Sequence, residues 1–367
     1  MDSSDAAPIN LENQRKLVAC AWKQLEDALS RSEETAARLA SELHPEFLRA
    51  VDEDAMHGYS GLPGLVPAAS LTRMERVVEA RFAQLIAVDL KGAVEQYLAL
   101  AREDFGSDCY VNADLALSLF PEYARDHEFR TIFHRATYAP VSHLTRRLAI
   151  PQILRRDRKG RPLGLLLAGG PSSGKTTVSK GALKTLLDVT SIIVDSNLAT
   201  MARGIELISA AIEQGLRPQV IFIYSPMYLV ERFVLRRLRK NGRPISANTL
   251  ADNHHEAQVT FLKLEQMYRD RADFLVFVNE GKPEEIEEKS LEFLRERSYA
   301  SQGENGSKQL LAQRFREHVI REWLRGNLTT VETLASGWSA VGEESLRKLE
   351  EGADRIRKGE RRTEATA

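Results

Sequence analysis

Polar and apolar positions change rhythm along the chain. Over the first hundred residues the apolar positions recur at helical spacing. In "LENQRKLVACAWKQLEDAL", Leu17, Val18, Cys20, Ala21 and Leu25 fall close to one face. The Gly/Pro-rich stretch "GYSGLPGLVPAAS" breaks the pattern. A second stripe then runs through Met74, Val77, Val78, Phe82 and Leu85, with Ser70 in position to cap its helix. Residues 1–105 are expected to form a helical N-terminal region that packs or regulates and carries no chemistry of its own.

From Pro162 onward short apolar runs alternate with helical ones. "LGLLLAGG" ends in glycines and leads into the helical "KTTVSKGALKTLL"; "SIIVD", "QVIFIY" and "DFLVFV" follow, each separated by a helical stretch. Fully apolar strands between helices predict a parallel sheet covered on both faces. A charged helix is expected over 283–297. The polar linker "SQGENGS" precedes the amphipathic "KQLLAQRFREHVIREWLRG", and "GERRTEATA" reads as disorder. The predicted fold class is α/β: a P-loop NTPase/kinase-type parallel sheet with helices on both faces, a helical N-terminal extension and C-terminal helices. The expected domains are 1–105, an α/β domain over 106–298, C-terminal helices over 308–357 and a disordered tail over 358–367. Within the α/β domain an acceptor element spans 107–148 and a nucleotide core 162–298.

The composition narrows the setting. A formal net charge of −1 supplies no field for nucleic acid or an anionic membrane, so neither is an expected partner. Two cysteines, Cys20 and Cys109, are too few for a disulfide framework or a zinc site and suit a reducing compartment. "MDSSDAAPIN" lacks the basic start and apolar core of a signal peptide, and no apolar run approaches the ~20 residues of a membrane span. A cytoplasmic protein is expected.

The chemistry centres on "GGPSSGKTT", which fits G-x-x-x-x-G-K-[ST] at Gly169, Gly174, Lys175 and Thr176. Gly169, Gly170 and Gly174 allow backbone angles that turn the loop N–H groups toward phosphates, and Pro171, Ser172, Ser173 and Thr177 complete the cradle. The helix that follows offers the positive end of its dipole. Lys175 is positioned for the β/γ phosphates and the Thr176 hydroxyl for Mg²⁺. The expected cofactors are therefore ATP and Mg²⁺. The strand "SIIVD" ends in Asp195, the usual place of a carboxylate near the metal, although Asp195 could instead cap the next helix. "RRLRKNGRP" carries Arg236, Arg237, Arg239, Lys240 and Arg243. It suits a lid whose guanidinium groups close over the transferring phosphoryl, or a solvated basic helix end.

A small-molecule kinase also needs a carboxylate to orient or deprotonate the acceptor hydroxyl. Between Lys175 and Ser191 there is room for one helix and a tight turn only, so either the protein lacks an acceptor site or that element comes from elsewhere in the chain. "YVNADLALSLFPEY" (110–123) opens with a short apolar strand-like piece that runs into a few helical residues and "FPEY". The strand-like start runs into Asp114, which by itself reads equally as a helix cap.

That stretch and the following "HRATYAPVSHLTRRL" resemble the substrate element of zeta-toxin-like kinases: a strand ending in Asp, a helix and a P-E-Y-like turn. In that family the element usually follows the phosphate loop; here it precedes it. The resemblance continues through "SIIVDSNLA", "VIFIYSP" and "RRLRKNGRPIS" and covers roughly 107–290. It implies a kinase that phosphorylates a hydroxyl of a UDP-activated sugar, with Asp114 as base and Arg236 or Arg243 on the phosphates. A toxic role would further imply an inhibitory protein partner. Leu117 stands where the family often has an Arg, so its acceptor contacts do not carry over intact. An ATP-hydrolysing switch and a nucleotide-binding interaction module remain the alternatives. "NHHEAQ" (253–258) lacks the second His of a metalloprotease helix, and His134 and His143 read as structural groups. Trp323 and Trp338 read as packing anchors.

Overall fold

The computed structural model describes residues 11–52, 62, 65, 71–155, 160–181, 186, 189–281, 286–299, 306–338 and 340–364. The chain starts with helices α1 (Leu11–Ser41), α2 (Pro45–Asp52), α3 (Arg73–Val88) and α4 (Leu90–Phe105). Strand β1 (Tyr110–Asn112) leads into short helices α5 (Ala113–Ala116), α6 (Pro121–Arg125), α7 (His127–Phe133) and α8 (Tyr138–Ser142). A π-helical segment, His143–Ala149, joins α8 to α9 (Ile150–Leu154). The alternating part comprises β2 (Leu163–Ala168), α10 (Lys175–Lys180), β3 (Thr190–Asp195), α11 (Met201–Glu213), β4 (Arg217–Tyr224), α12 (Met227–Asn241), α13 (Ala247–Tyr268) and β5 (Asp273–Val278). Then come β6 (Glu287–Lys289), α14 (Leu291–Glu296), α15 (Lys308–Leu324), α16 (Thr330–Trp338) and α17 (Glu343–Glu364).

The fold is α/β, with a six-stranded sheet in the order β1-β3-β2-β4-β5-β6, parallel except for β6. The apolar runs explain it. Leu165, Leu166 and Leu167 of β2 and Ile192, Ile193 and Val194 of β3 are buried, as strands covered on both faces require. β1 supplies the sheet position that the short stretch after Lys175 cannot. It pairs in parallel with β3, with Asn112 opposite Asp195, while Leu167 of β2 lies opposite the same Asp195 on the other side. The carboxyl ends of β1, β3 and β2 therefore open on one crevice, the usual ligand position of such sheets.

Several local expectations are revised. The helix expected over 283–297 is a short antiparallel strand followed by a helix from Leu291, because β5 has an open edge to pair and Ser290 caps Phe293 N; residues 282–285 lie outside the described residues. Helix α3 is capped by Thr72, whose side chain accepts from Glu75 N while Glu75 accepts from Thr72 N. The proposed cap Ser70 lies outside the described residues. Helix α17 runs on to Glu364 instead of ending near 357; no Pro interrupts Arg355–Glu364, and Arg and Glu, good helix formers, outnumber the one unfavourable residue, Gly359.

One hydrophobic core joins the sheet to α2–α4. Phe82 of α3 stacks on Phe120 with ring centroids 4.9 Å apart. The Tyr97 hydroxyl accepts from Asn112 N and donates to Asn112 O, fixing the end of β1. A second cluster packs Leu250 and Ala251 of α13 against Leu311 and Phe315 of α15. A third brings Ala21 and Leu25 of α1 onto Trp323, Leu334 and Leu349, so the first described helix closes on the last three. Trp22 Nε1 donates to Glu350 there at 2.8 Å. Among the described residues no helix is long and apolar enough to cross a membrane.

Candidate active site

Outside the carboxyl ends of β1, β3 and β2 lies a cleft of about 930 Å³, lined by the phosphate loop, Asp114, Asp195, Arg236, Arg237 and Arg243 among others. That size suits a small ligand and part of a second. Asp114, Asp195, Arg236, Arg237 and Arg243 thus meet in one place, although 129 residues separate Asp114 from Arg243; Arg239 and Lys240 do not line the cleft, and Arg239 faces Glu322 instead.

The loop takes the geometry that its glycines permit. Gly169 and Gly174 have φ of 125° and 98°, and Ser172, without a glycine's freedom, has φ of 59°. Space is as restrictive as torsion: a Cβ on Gly174 would sit 2.1 Å from the Asn279 amide, and one on Gly169 2.5 Å from Ile223 O. Lys175 Nζ donates to Gly169 O at 2.8 Å and Gly170 O at 2.9 Å, and lies 3.3 Å from Asn197 Oδ1. Burial lowers its pKa, partly offset by Asp195. Thr176 and Thr177 open α10 and line the cleft.

Asp195 ends β3 beside the loop. Its Oδ2 accepts from Asn112 Nδ2 at 2.9 Å and from the Tyr110 hydroxyl at 3.1 Å, both on β1. Burial raises its pKa, against the pull of Lys175. Asp195 is therefore not a helix cap: α11 begins only at Met201. Its other oxygen and the Thr176 hydroxyl are hard oxygen donors at the cleft. Mg²⁺ needs few protein oxygens because water and phosphate complete its shell, so this pair fits that ion. No group of three or more His, Cys, Asp or Glu capable of holding a metal occurs among the described residues.

Asp114 stands at the start of α5, its own N–H donated to Asn112 Oδ1 at 2.6 Å. Its carboxylate faces the cleft with 43% of the side chain exposed. Oδ2 pairs with Arg243 Nη1 at 2.8 Å, and Oδ1 lies 3.7 Å from Arg237 Nη2. Burial works to raise its pKa, but Arg237 and Arg243 outweigh it and hold it down at about 2. In this state Asp114 is a firmly ionised, weak base.

The arginine-rich segment is anchored. Three side chains on one face of α7 meet the end of α12: His127 Nε2 lies 3.2 Å from Leu238 O, Arg130 Nε donates to Asn241 O at 2.6 Å, and Thr131 Oγ1, whose nearer acceptor is His127 O, lies 3.3 Å from Gly242 O. Arg130 also donates to Tyr123 O and Ala124 O in the "PEY" turn. A guanidinium is suited to this, since its fork offers several fixed donors. Gly242, at φ 60°, turns the chain so that Arg243 meets Asp114. Arg237, not Arg236, reaches the carboxylate; Arg236 is exposed on the cleft wall. Successive helical residues point about 100° apart, so only one of two adjacent arginines can face inward.

His134 and Tyr138 line the acceptor side. His134 Nδ1 lies 2.6 Å from the Tyr123 hydroxyl, and burial holds the ring neutral with a pKa of about 3. Arg146, in the π-helical segment, and the buried Arg203 of α11 line the same cleft. His143 is buried in the π-helical segment and does not line the cleft. The sequence motif could not show the groups that support the loop from outside: Asn279 Nδ2 donates to Ser173 O at 3.0 Å, and His254 Nε2 meets Pro171 O at 2.8 Å. Both come from distant elements, and only the polar character of "NHHEAQ" hinted at one of them.

Residues 184–290 match the family model described as Zeta toxin. The match takes in β3 to β6 with Asp195 and the arginine-rich segment. It is the later part of the span over which the sequence resembles that family, and the phosphate loop and Asp114 lie before it. No curated protein matches the chain.

Proposed function

We propose, starting from the Zeta toxin match and the cleft, that this protein is an ATP-dependent kinase acting on a hydroxyl of a small molecule, with a UDP-activated sugar as the first acceptor to try. The reading rests on one observation: Asp114, at the end of β1, shares a cleft with Lys175 and Asp195 because β1 pairs with β3. A kinase needs such a carboxylate beside the transferred group, to orient the acceptor hydroxyl and take its proton.

The phosphate loop 169–177 would hold the nucleotide phosphates through its N–H groups and Lys175, and Thr176 and Asp195 would hold Mg²⁺. When bound, ATP·Mg²⁺ supplies the transferable phosphoryl group and neutralises charge on its oxygens. Lys175 exchanges its present carbonyl partners for phosphate oxygens. Arg243 and Arg237 swing their guanidinium groups from Asp114 toward the phosphates, where charge develops during transfer. Asp114 Oδ1, the less engaged oxygen, then accepts the acceptor's hydroxyl hydrogen, orients the nucleophile and takes its proton. Such transfers depend more on position than on base strength, so a carboxylate of low basicity serves. Free Cys20 and Cys109 accord with a cytoplasmic setting.

The test is incubation with γ-labelled ATP and a panel of UDP-sugars, nucleosides and cell metabolites, with Lys175→Ala as the blank. A labelled product that is absent with Lys175→Ala supports the kinase. Label released only as phosphate under every acceptor replaces it with the hydrolytic switch.

A further inference from the structure

A phosphate loop works only while its N–H groups, and not its carbonyls, face the anion. Four loop carbonyls have side-chain donors here. Those of Gly169 and Gly170 take Lys175, a bond that ends when Lys175 turns to phosphate. Those of Pro171 and Ser173 take His254 and Asn279, which lie outside the loop and are free to stay.

The Pro171–Ser172 peptide is the weak point. Ser172 has φ of 59°, a left-handed region in which the Cβ of a non-glycine residue crowds the backbone. Rotating that peptide plane would return Ser172 to ordinary backbone and would point the Pro171 carbonyl into the phosphate site. The hydrogen bond to His254 opposes the rotation. A carbonyl can only accept, so His254 carries its proton on Nε2, and burial keeps the ring neutral with a pKa of about 4. The ring is also wedged under the loop: a Cβ on Gly170 would lie 2.3 Å from three of its atoms. Its neighbour His255 instead stacks on Tyr299, with ring centroids 6.2 Å apart.

We propose that His254 is a positioning residue of the phosphate loop, holding the Pro171–Ser172 peptide with its N–H available to the nucleotide phosphates. This rests on the reading of the cleft as a nucleotide site. It also gives "NHHEAQ" a purpose that involves no metal.

The experiment titrates ATP·Mg²⁺ by calorimetry into the full-length wild type, His254→Leu, His254→Gln, His254→Asn and the control His255→Ala. The Gln amide can reach Pro171 O where Asn falls short. We expect the Leu and Asn variants to lose about tenfold or more in ATP affinity, about 1.4 kcal/mol, Gln to recover most of it and His255→Ala to match wild type. In turnover, the loss should sit in the KM for ATP, with kcat recovered at saturating ATP, a split that general destabilisation would not produce. Should the Leu variant fail to fold, the Gln/Asn pair carries the comparison. Wild-type affinity in His254→Leu, or equal affinity in Gln and Asn, overturns the inference alone. A wild type that binds no ATP overturns the nucleotide reading and the inference together.

Discussion

Replacing Asp114 by Asn keeps its shape and removes its charge, which tests the centre of the cleft. The carboxylate faces Arg243 at 2.8 Å and Arg237 at 3.7 Å. A carboxyl held at about 2 against an ordinary 3.8 corresponds to roughly 2.4 kcal/mol at 1.36 kcal/mol per pH unit. With 43% of the side chain exposed, solvent screening reduces this to about 1 kcal/mol. Because the folded pKa lies below the unfolded one, the stabilisation is complete above about pH 4 and fades as the pH falls through about 2. Urea unfolding of both proteins should therefore show wild type ahead by about 1 kcal/mol from pH 7 to pH 4, with the gap narrowing at pH 3. Phosphoryl transfer should fall by about 10²–10⁴, while ATP affinity does not fall, since both guanidinium groups become free for phosphate. A stability gap that is absent, or that does not change below pH 4, refutes the ion pair. Unchanged turnover refutes the acceptor role.

Two further substitutions probe the supports. Gly174→Ala places a Cβ 2.1 Å from Asn279 at a φ of 98°. It should cost a few kcal/mol of stability and most of the ATP affinity; wild-type thermal unfolding and affinity would show the loop to be less constrained than described. Arg130→Met removes the donors to Asn241 O, Tyr123 O and Ala124 O. It should lower kcat about tenfold or more with little change in the KM for ATP, because Arg243 loses its fixed origin; a rise in that KM alone would assign Arg130 to nucleotide binding.

The groups legible in the sequence were those whose chemistry depends on near neighbours in the chain. The phosphate loop is one, because Gly169, Gly174, Lys175 and Thr176 act through a single turn. The apolar strands are another, since burial on both faces requires unbroken runs such as "LGLLLA". The place of Asp114 followed partly from a missing element and partly from resemblance, and β1 indeed lies beside β3. Choosing between Arg236 and Arg237 was beyond the sequence, because helical phase is set by what α12 packs against. The strand at Glu287–Lys289 was hidden for a similar reason: charged residues pair there only because β5 presents an edge.

The sequence by itself determined an α/β chain with a phosphate loop, a carboxylate ending β3 and a basic segment at the end of α12. Pattern and local backbone chemistry act over a few residues and survive in one dimension. Only the tertiary structure decided that β1, more than fifty residues before the loop, pairs with β3. It also decided that α7 grips the basic segment, that Arg243 meets Asp114, and that His254 and Asn279 hold the loop from outside. These are contacts between surfaces brought together by burial of a common core, and no spacing along the chain encodes them.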